Sequence, residues 1–407
     1  MNYLFIHHNY PAQFRHLAAT LAARPGNSVF FLSENRNPGI EIPRVQLGLV
    51  PVSAPPKDQG QTRYDAELIL RRSEAFGRAM LELLRRGFTP DVVYDHCGWG
   101  CGLYIPDILP KALRATYCEW YFNHRQPNDL SGLPPGRRVE AFAPERTRNH
   151  CQLDALASCD TAVIPTYWQQ AQYPERFHPL LNVLHDGIDT DFFSPCEEPQ
   201  FYLNVDPPFS LPPGTEIVSY VCRAFEPCRG FPQVMRSLPH LLRLRPDCHV
   251  VIMGEDHVSY DPPRKDGRTW KDVMRQEVDW DESRVHFVGY GIYPAYLRLL
   301  RAASLHIYLT RPYVLSWSLL EALSTGCLVL ASDTEPVREV ISHGENGLLT
   351  PFDDPVALAE LAAEALENRE RYAHLRQAAR QTILARYDLR TLLRRHLALL
   401  DPESRRS

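Results

Sequence analysis

The sequence has no run of about 18 apolar residues, the length a membrane-crossing helix needs. It has no CxxC pair either. Its 10 cysteines stand singly, and Cys97 and Cys101 by themselves do not make a zinc site. Free thiols spread through apolar stretches fit a reducing compartment, so a cytoplasmic protein is expected. There is no excess of positive charge. The 44 basic residues face 49 acidic ones, for a formal net charge of -5. That balance excludes a general attraction to nucleic acid and leaves, at most, peripheral contact with a membrane. The opening "MNYLFIHHNY" lacks the basic start and long apolar core of a secretory leader, so none is expected. No repeat of fixed period is present.

What is there is a regular alternation. With 407 residues and 44% hydrophobic content, the chain can bury two ordinary cores. Short apolar runs ("YLFIHH", "SVFFLS", "DVVYDH", "LRATYCEW", "TAVIPT") alternate with helical patterns in the first half. The same alternation returns in the second half with "EIVSYVC", "HVVIMG", "RVHFVG", "LHIYLT" and "CLVLAS". Continuous apolar strands between helices predict parallel sheets covered on both faces. The fold class expected is α/β, with two doubly wound Rossmann-like domains facing a central cleft. The domains are placed at 1–185 and 216–385. Between them lies a proline-dense stretch, 186–215, read as a hinge or linker, or an irregular excursion, because proline forbids helix interiors and central strands. Residues 386–407 are read as a C-terminal helix crossing back to the first domain.

The stretch "RPYVLSWSLLEALSTGCLVLAS" at 311–332 raises the first chemical question. A helix runs from about Ser316 to Thr325, Gly326 ends it, and a strand follows. Glu321 stands in the middle of this mostly apolar helix. Trp317, Ser318, Ser324 and Thr325 share its face, whereas Leu319, Leu320 and Leu323 point elsewhere. One reading is a solvent-facing or Arg-paired carboxylate. The other is a ligand site. Ser316 and Ser318 leave the helix N-terminus open to a phosphate, and a carboxylate one turn on can accept both hydroxyls of a ribose.

The order strand, Ser-rich helix start, "LLEA", "STG", strand resembles the donor-binding segment of family-4 glycosyltransferases, which have the GT-B fold. The similarity extends to "SYVCRAFEPCRGF", "VVIMGED" and "RVHFVGY", and covers most of 182–368. This resemblance implies that Glu321 holds the ribose hydroxyls and that Arg223 and Arg229 hold the diphosphate. It further implies that the backbone of Val288 and Gly289 faces the base, and that Ser316, Trp317 and Ser318 line the donor site. Two departures stand out. The family carries two glutamates eight positions apart, and the first of them is Tyr313 here. The usual lysine of the basic pair is Arg229, which keeps the charge and gains a fork of donors.

The first half resembles a subgroup of the same family through "PAQFRHLA", "HCGWG" (His96 to Gly100), "EWY" (Glu119 to Tyr121), "PTYW" (Pro165 to Trp168) and "HDGID" (His185 to Asp189). The resemblance implies a catalytic-side polar residue at His96, and acceptor-side residues at Asn9, Gln13 and Glu119. The alternative for His96 is a cap of the "GWG" turn. Adjacent strand residues point to opposite faces, so His7 and His8 are not expected to share an ion. The Asp-x-Asp triplets 189–191 and 279–281 are expected to be surface or linker acids.

What these readings imply together is a metal-independent, retaining hexosyltransferase without a cofactor. It would use a nucleotide diphosphate-sugar as donor and the hydroxyl of a saccharide, lipid-linked or small-molecule acceptor, and act in polysaccharide or glycoconjugate synthesis. An epimerase or phosphorylase on the same fold, or a non-catalytic nucleotide-sugar-binding protein, remains open beside it.

Overall fold

A computed structural model describes residues 1–37, 39–123, 134–204 and 208–401. The chain divides into two compact units: unit 1 is Met1–Gly187 together with the chain from Arg390 onward, and unit 2 is Ile188–Leu389.

Unit 1 is built on seven strands: β1 (Asn2–Tyr10), β2 (Ser28–Arg36), β3 (Val45–Leu49), β4 (Val92–His96), β5 (Leu113–Tyr117), β6 (Thr161–Ile164) and β7 (Leu181–Val183). They pair in the order β3-β2-β1-β4-β5-β6-β7, all parallel. The central strands are buried along their whole length, because helices cover both faces of a parallel sheet. One core gathers Phe5, Phe14, Phe31, Tyr94 and Tyr117 with Leu392 and Leu400 from the C-terminal stretch. The other gathers Ile6, Leu32, Phe76, Met80 and Val93. The expected strand "LRATYCEW" stops at Tyr117, so Glu119 and Trp120 lie just past the strand end.

Unit 2 opens with a small hairpin, β8 (Tyr202–Leu203) with β9 (Phe209–Ser210), and then forms six strands. These are β10 (Glu216–Ala224), β11 (Cys248–Glu255), β12 (Val285–Phe287), β13 (Leu305–Tyr308), β14 (Val329–Ser332) and β15 (Leu348–Thr350). Their order is β12-β11-β10-β13-β14-β15, all parallel. In both sheets the strand order reverses once, between β1 and β4 and between β10 and β13. Crevices form at the carboxyl ends of such reversal points.

The stretch expected as a hinge or irregular excursion, 186–215, contains the boundary between the units after Gly187 and from there packs on unit 2. Phe193, Phe201 and Leu203 are buried in the core of unit 2 with Tyr296 and Leu300. Arg380 fixes the segment by donating to the carbonyls of Thr190 and Phe193, and the Thr190 hydroxyl donates to Asp388 at 2.7 Å. Proline here shapes an irregular strap packed on the unit, not a free connector. Residues 205–207 of that range, and 402–407 of the expected C-terminal segment, lie outside the described residues. The C-terminal helix itself spans Leu389–Leu399.

Beside the reversal point of unit 1, Asp95 and Arg114 form a buried ion pair at 3.3 Å, and Arg114 also donates to the Gly102 carbonyl at 3.1 Å. A Cβ on Gly102 would lie 2.1 Å from Asp95 Oδ2, which explains a glycine in "GWGCG". Gly102→Ala should therefore part the pair. Breaking a buried pair costs about 3 kcal/mol or more, to be read as a fall in the denaturation midpoint. An unchanged midpoint would mean that the turn adapts freely.

Candidate active site

In unit 2 the carboxyl ends of β10, β11, β12 and β13 bring the expected donor residues to one edge of the sheet. The helix Trp317–Ser324 begins there. Ser316 caps it, its Oγ accepting the Ser318 N–H at 3.3 Å, and its own N–H donates to the Tyr308 hydroxyl at 3.1 Å. Glu321 is 6% exposed. Burial pushes its pKa up to about 7, against hydrogen bonds from the Tyr296 and Tyr293 side chains that favour the charged form. The solvent-facing reading of Glu321 is therefore wrong, and among the described residues no arginine pairs with it.

The hydroxyl neighbours Ser324 and Thr325 do not belong to a ligand face. Ser324 donates to the Phe193 carbonyl at 2.6 Å and Thr325 to that of Ala322 at 2.7 Å. Trp317 is half-buried against the core.

Arg229 is buried, and its guanidinium donates to Thr310 Oγ1 at 2.9 Å and to the Val314 carbonyl at 3.3 Å. Gly230, with φ of +75°, lets this turn press on β13: a Cβ there would lie 2.4 Å from that of Leu309. Arg223 is exposed at the end of β10 and meets no acceptor among the described residues. So one arginine is anchored and the other is available. The Val288 N–H donates to the Ile252 carbonyl, and the Gly289 carbonyl accepts from Gly254, which fixes both next to the end of β12.

Two residues here escaped the sequence reading. Glu226 is fully buried, and its Oε2 accepts three consecutive backbone N–H groups, from Ser259, Tyr260 and Asp261, at 2.9, 2.8 and 3.1 Å. This clamp sets the Tyr260 ring over Arg229, with 5.0 Å between guanidinium carbon and ring centroid. The same ring meets Tyr313 edge-on at 5.4 Å. The placement of Glu226 between the two arginines in "RAFEPCRG" was the available signal. For Tyr260, in an irregular loop, there was none.

Glu226, Cys228 and Asp261 place ligand-type atoms within 4.8 Å of one another. Their chemistry is that of a clamp. Asp261 Oδ2 takes the Cys228 N–H at 2.7 Å, and burial raises the pKa of the Cys228 thiol. The Asp-x-Asp triplets are structural: Asp189 Oδ1 accepts the N–H groups of Asp191 and Phe192, and Asp281 accepts from Ser283 and Arg284.

In unit 1 the reversal point holds His7 in the second half of β1 and His96 at the end of β4, both buried, with rings 4.7 Å apart. His8 faces the other way, onto Glu34 at 2.9 Å. His96 Nε2 lies 3.4 Å from Glu119 Oε2, and Gln13 donates to Glu119 Oε1 at 3.0 Å. His96 also accepts the Gly98 N–H, so it caps the turn as well as facing the site. Asn9 is exposed, and its side chain accepts from Asn35 at 3.1 Å, outside the Gln13–Glu119 contact.

Residues 25–193 match the glycosyl transferase family 4 group, and residues 205–382 match the glycosyl transferases group 1. The chain belongs to the family-4, group 1 glycosyltransferases. It is 26% identical over 211 residues to a phosphatidyl-myo-inositol mannosyltransferase of Mycobacterium tuberculosis, covering 50% of this chain and 49% of that protein. The Mycobacterium leprae counterpart is 27% identical over 178 residues, 42% of each chain. The chain thus spans about half the length of the curated relatives it matches. Among solved structures, a sucrose-phosphate synthase of Thermosynechococcus elongatus aligns over 100% of both chains, with a TM-score of 0.71 at 17% identity. Anabaena HepE in complex with UDP-glucose aligns over 98% of this chain and 99% of its own, with a TM-score of 0.68 at 14% identity. The glycosyltransferase WaaG aligns over 98% of this chain and 100% of its own, with a TM-score of 0.65 at 16% identity. The fold of the two units is that of the GT-B glycosyltransferases.

The raised pKa of Glu321 has a signed consequence. A carboxyl that titrates near 7 when folded and near 4.5 when unfolded binds its proton more tightly in the fold. Stability therefore falls as pH rises from about 4.5 to about 7, by roughly 3 kcal/mol, and stays level above that. Glu321→Gln removes the charge and should flatten this fall, so the ligand-free variant should melt above wild type at pH 8. Equal melting temperatures at pH 8 would mean that the carboxylate is not held out of water.

Proposed function

We propose that the chain is a retaining, metal-independent glycosyltransferase. It moves a sugar from a nucleotide diphosphate-sugar to the hydroxyl of a saccharide or lipid-linked acceptor, in the cytoplasm, without a cofactor. The observation that carries this reading is Glu321. A carboxylate 6% exposed, one turn inside a helix with a serine-capped start, at the reversal point of a parallel sheet, is costly unless a ligand uses it. A ribose diol offers two donors to such a group.

Arg229 and Arg223 lie on the same edge and supply positive charge. The start of the helix Trp317–Ser324 adds backbone donors. Together these stabilise the negative charge that grows on the departing diphosphate, the role a bound metal plays elsewhere. "Retaining" follows the family resemblance. So does the expectation that the leaving diphosphate and the acceptor hydroxyl meet the same face of the sugar. The relatives suggest the chemistry of both substrates: HepE is described with UDP-glucose, and the mycobacterial relatives by name act on a phosphatidyl-inositol headgroup. No helix among the described residues is long and apolar enough to cross a membrane, so a lipid-linked acceptor would be met from the surface.

Tyr313 favours a second reading at one point only. It stands where the family has its first glutamate, and its ring faces Tyr260. We assign it to donor-sugar choice, since aromatic faces pack on the C–H faces of sugars.

Ligands that bind only the folded state raise its melting temperature. One of ADP, GDP, UDP or TDP should therefore stabilise the protein, and should do so equally in EDTA. A Tyr313→Phe or Tyr313→Glu variant should keep that stabilisation and change the ranking of sugars on the same nucleotide. No response to any of the four sets aside the transferase reading. A response abolished by EDTA and restored by metal sets aside metal independence. An unchanged ranking returns Tyr313 to packing.

A further inference from the structure

Unit 2 carries a cavity of about 470 Å³ away from the residues assigned to the donor. Its size is that of a small-molecule site. It lies at the amino end of the sheet: Ile217 stands at the start of β10, and Ser304 and Leu328 directly precede β13 and β14. Arg223 is near the other end of β10, about 20 Å along the strand from Ile217.

Phe201, Leu211, Ile217 and Leu328 give the cavity an apolar wall. Part of its rim is the turn Pro212, Pro213, Gly214, closed by the Thr215 N–H donating to the Pro212 carbonyl at 3.2 Å. Two prolines restrict the backbone there, so this wall is formed before any ligand arrives.

The charge on the lining is uneven. Arg301, Arg369 and Arg376 line the cavity, against one carboxylate, the exposed Glu198. Arg301 donates to the Ser194 carbonyl at 2.7 Å and to the Ser194 hydroxyl at 2.9 Å. Arg376 donates to the Gly326 carbonyl at 2.8 Å. These partners are neutral, and among the described residues neither arginine pairs with a carboxylate. Arg369 shares Glu216 with Arg245, each at 2.8 Å. A guanidinium has five N–H donors, so all three keep some unspent. A chain of net charge -5 thus gathers positive charge beside an apolar wall.

We propose that this cavity binds a phosphate monoester, with the phosphoryl group on the arginines and the organic body against the apolar wall. A monoester brings about two negative charges and three acceptor oxygens, which guanidinium forks match. A carboxylate brings one charge and two oxygens, and would leave part of the cluster unmet. The site is distinct from the one built around Glu321, so it stands or falls independently of the transferase reading.

The test titrates phenyl phosphate calorimetrically into the full chain, with phenol as the uncharged control. Wild type should bind phenyl phosphate and not phenol. Arg223→Ala, which removes charge at the donor edge, should bind it as wild type does. Arg376→Gln and Arg369→Gln should each weaken binding by about tenfold or more, because each removes hydrogen bonds to a charged group. Both side chains are exposed, so the variants should keep the fold, checked by their melting temperatures. Phosphatidylcholine vesicles containing phosphatidic acid present the same monoester on a lipid. Co-sedimentation that is lost in Arg376→Gln makes a lipid headgroup the source; phenyl phosphate binding without co-sedimentation makes it a soluble ester. Wild-type affinity in both Arg376→Gln and Arg369→Gln overturns the proposal. So does loss of binding in Arg223→Ala, which would place the probe at the donor edge, or a wild-type response to phenyl phosphate no greater than to phenol.

Discussion

A carboxylate held away from water at the end of a parallel sheet is the constraint around which unit 2 is organised. Among the described residues Glu321 has no basic partner to neutralise it, only two tyrosine hydroxyls. Left without a ligand, such a group favours its proton and subtracts from stability near neutral pH. The surroundings are arranged to keep it there nonetheless. Leu319, Leu320 and Leu323 bury the rest of its helix, Gly326 at φ of +70° ends it, and Ser324 ties it to the strap at Phe193. A rigid helix carrying a destabilised charge is suited to a ligand that donates hydrogen bonds to that charge.

The charges around it are divided by mobility. Arg229 is locked by Thr310, by the Val314 carbonyl and under the Tyr260 ring, so it acts as a fixed positive point. Arg223 is exposed, so in the proposed reaction it is placed to follow a diphosphate as charge shifts during departure. Glu226 connects these parts through the three backbone N–H groups that it holds. Unit 1 repeats the logic with different groups. Its reversal point carries two buried imidazoles whose tautomers are set by backbone donors, and one carboxylate left partly open.

Much of this was legible in the sequence. Apolar runs marked the central strands of both sheets, because strands covered on both faces must be apolar throughout. The short edge strands Val45–Leu49, Leu181–Val183 and Leu348–Thr350 carry little of that signal and were missed. Glu321 could be singled out from its place in a mostly apolar helix, and Arg229 from the family resemblance. That Ser324 and Thr325 serve the backbone, and that Tyr293 and Tyr296 reach Glu321 from another helix, depends on contacts between distant segments. The proline-dense stretch could be read only as irregular: proline excludes regular structure but does not exclude packing, and Phe193, Phe201 and Leu203 settle that segment on unit 2.

The measurement that bears most directly on the buried carboxylate changes the ligand and leaves the protein intact. Isothermal titration would compare the nucleoside diphosphate that stabilises the protein with its 2′,3′-dideoxy counterpart. Hydrogen bonds to a charged group contribute about 1.5–3 kcal/mol each, so removing both ribose hydroxyls should weaken binding by at least tenfold, and more at pH 8 than at pH 6 as Glu321 ionises. Equal affinities for the two ligands would contradict the account, because the carboxylate would then be buried without the diol that it is held in place to meet.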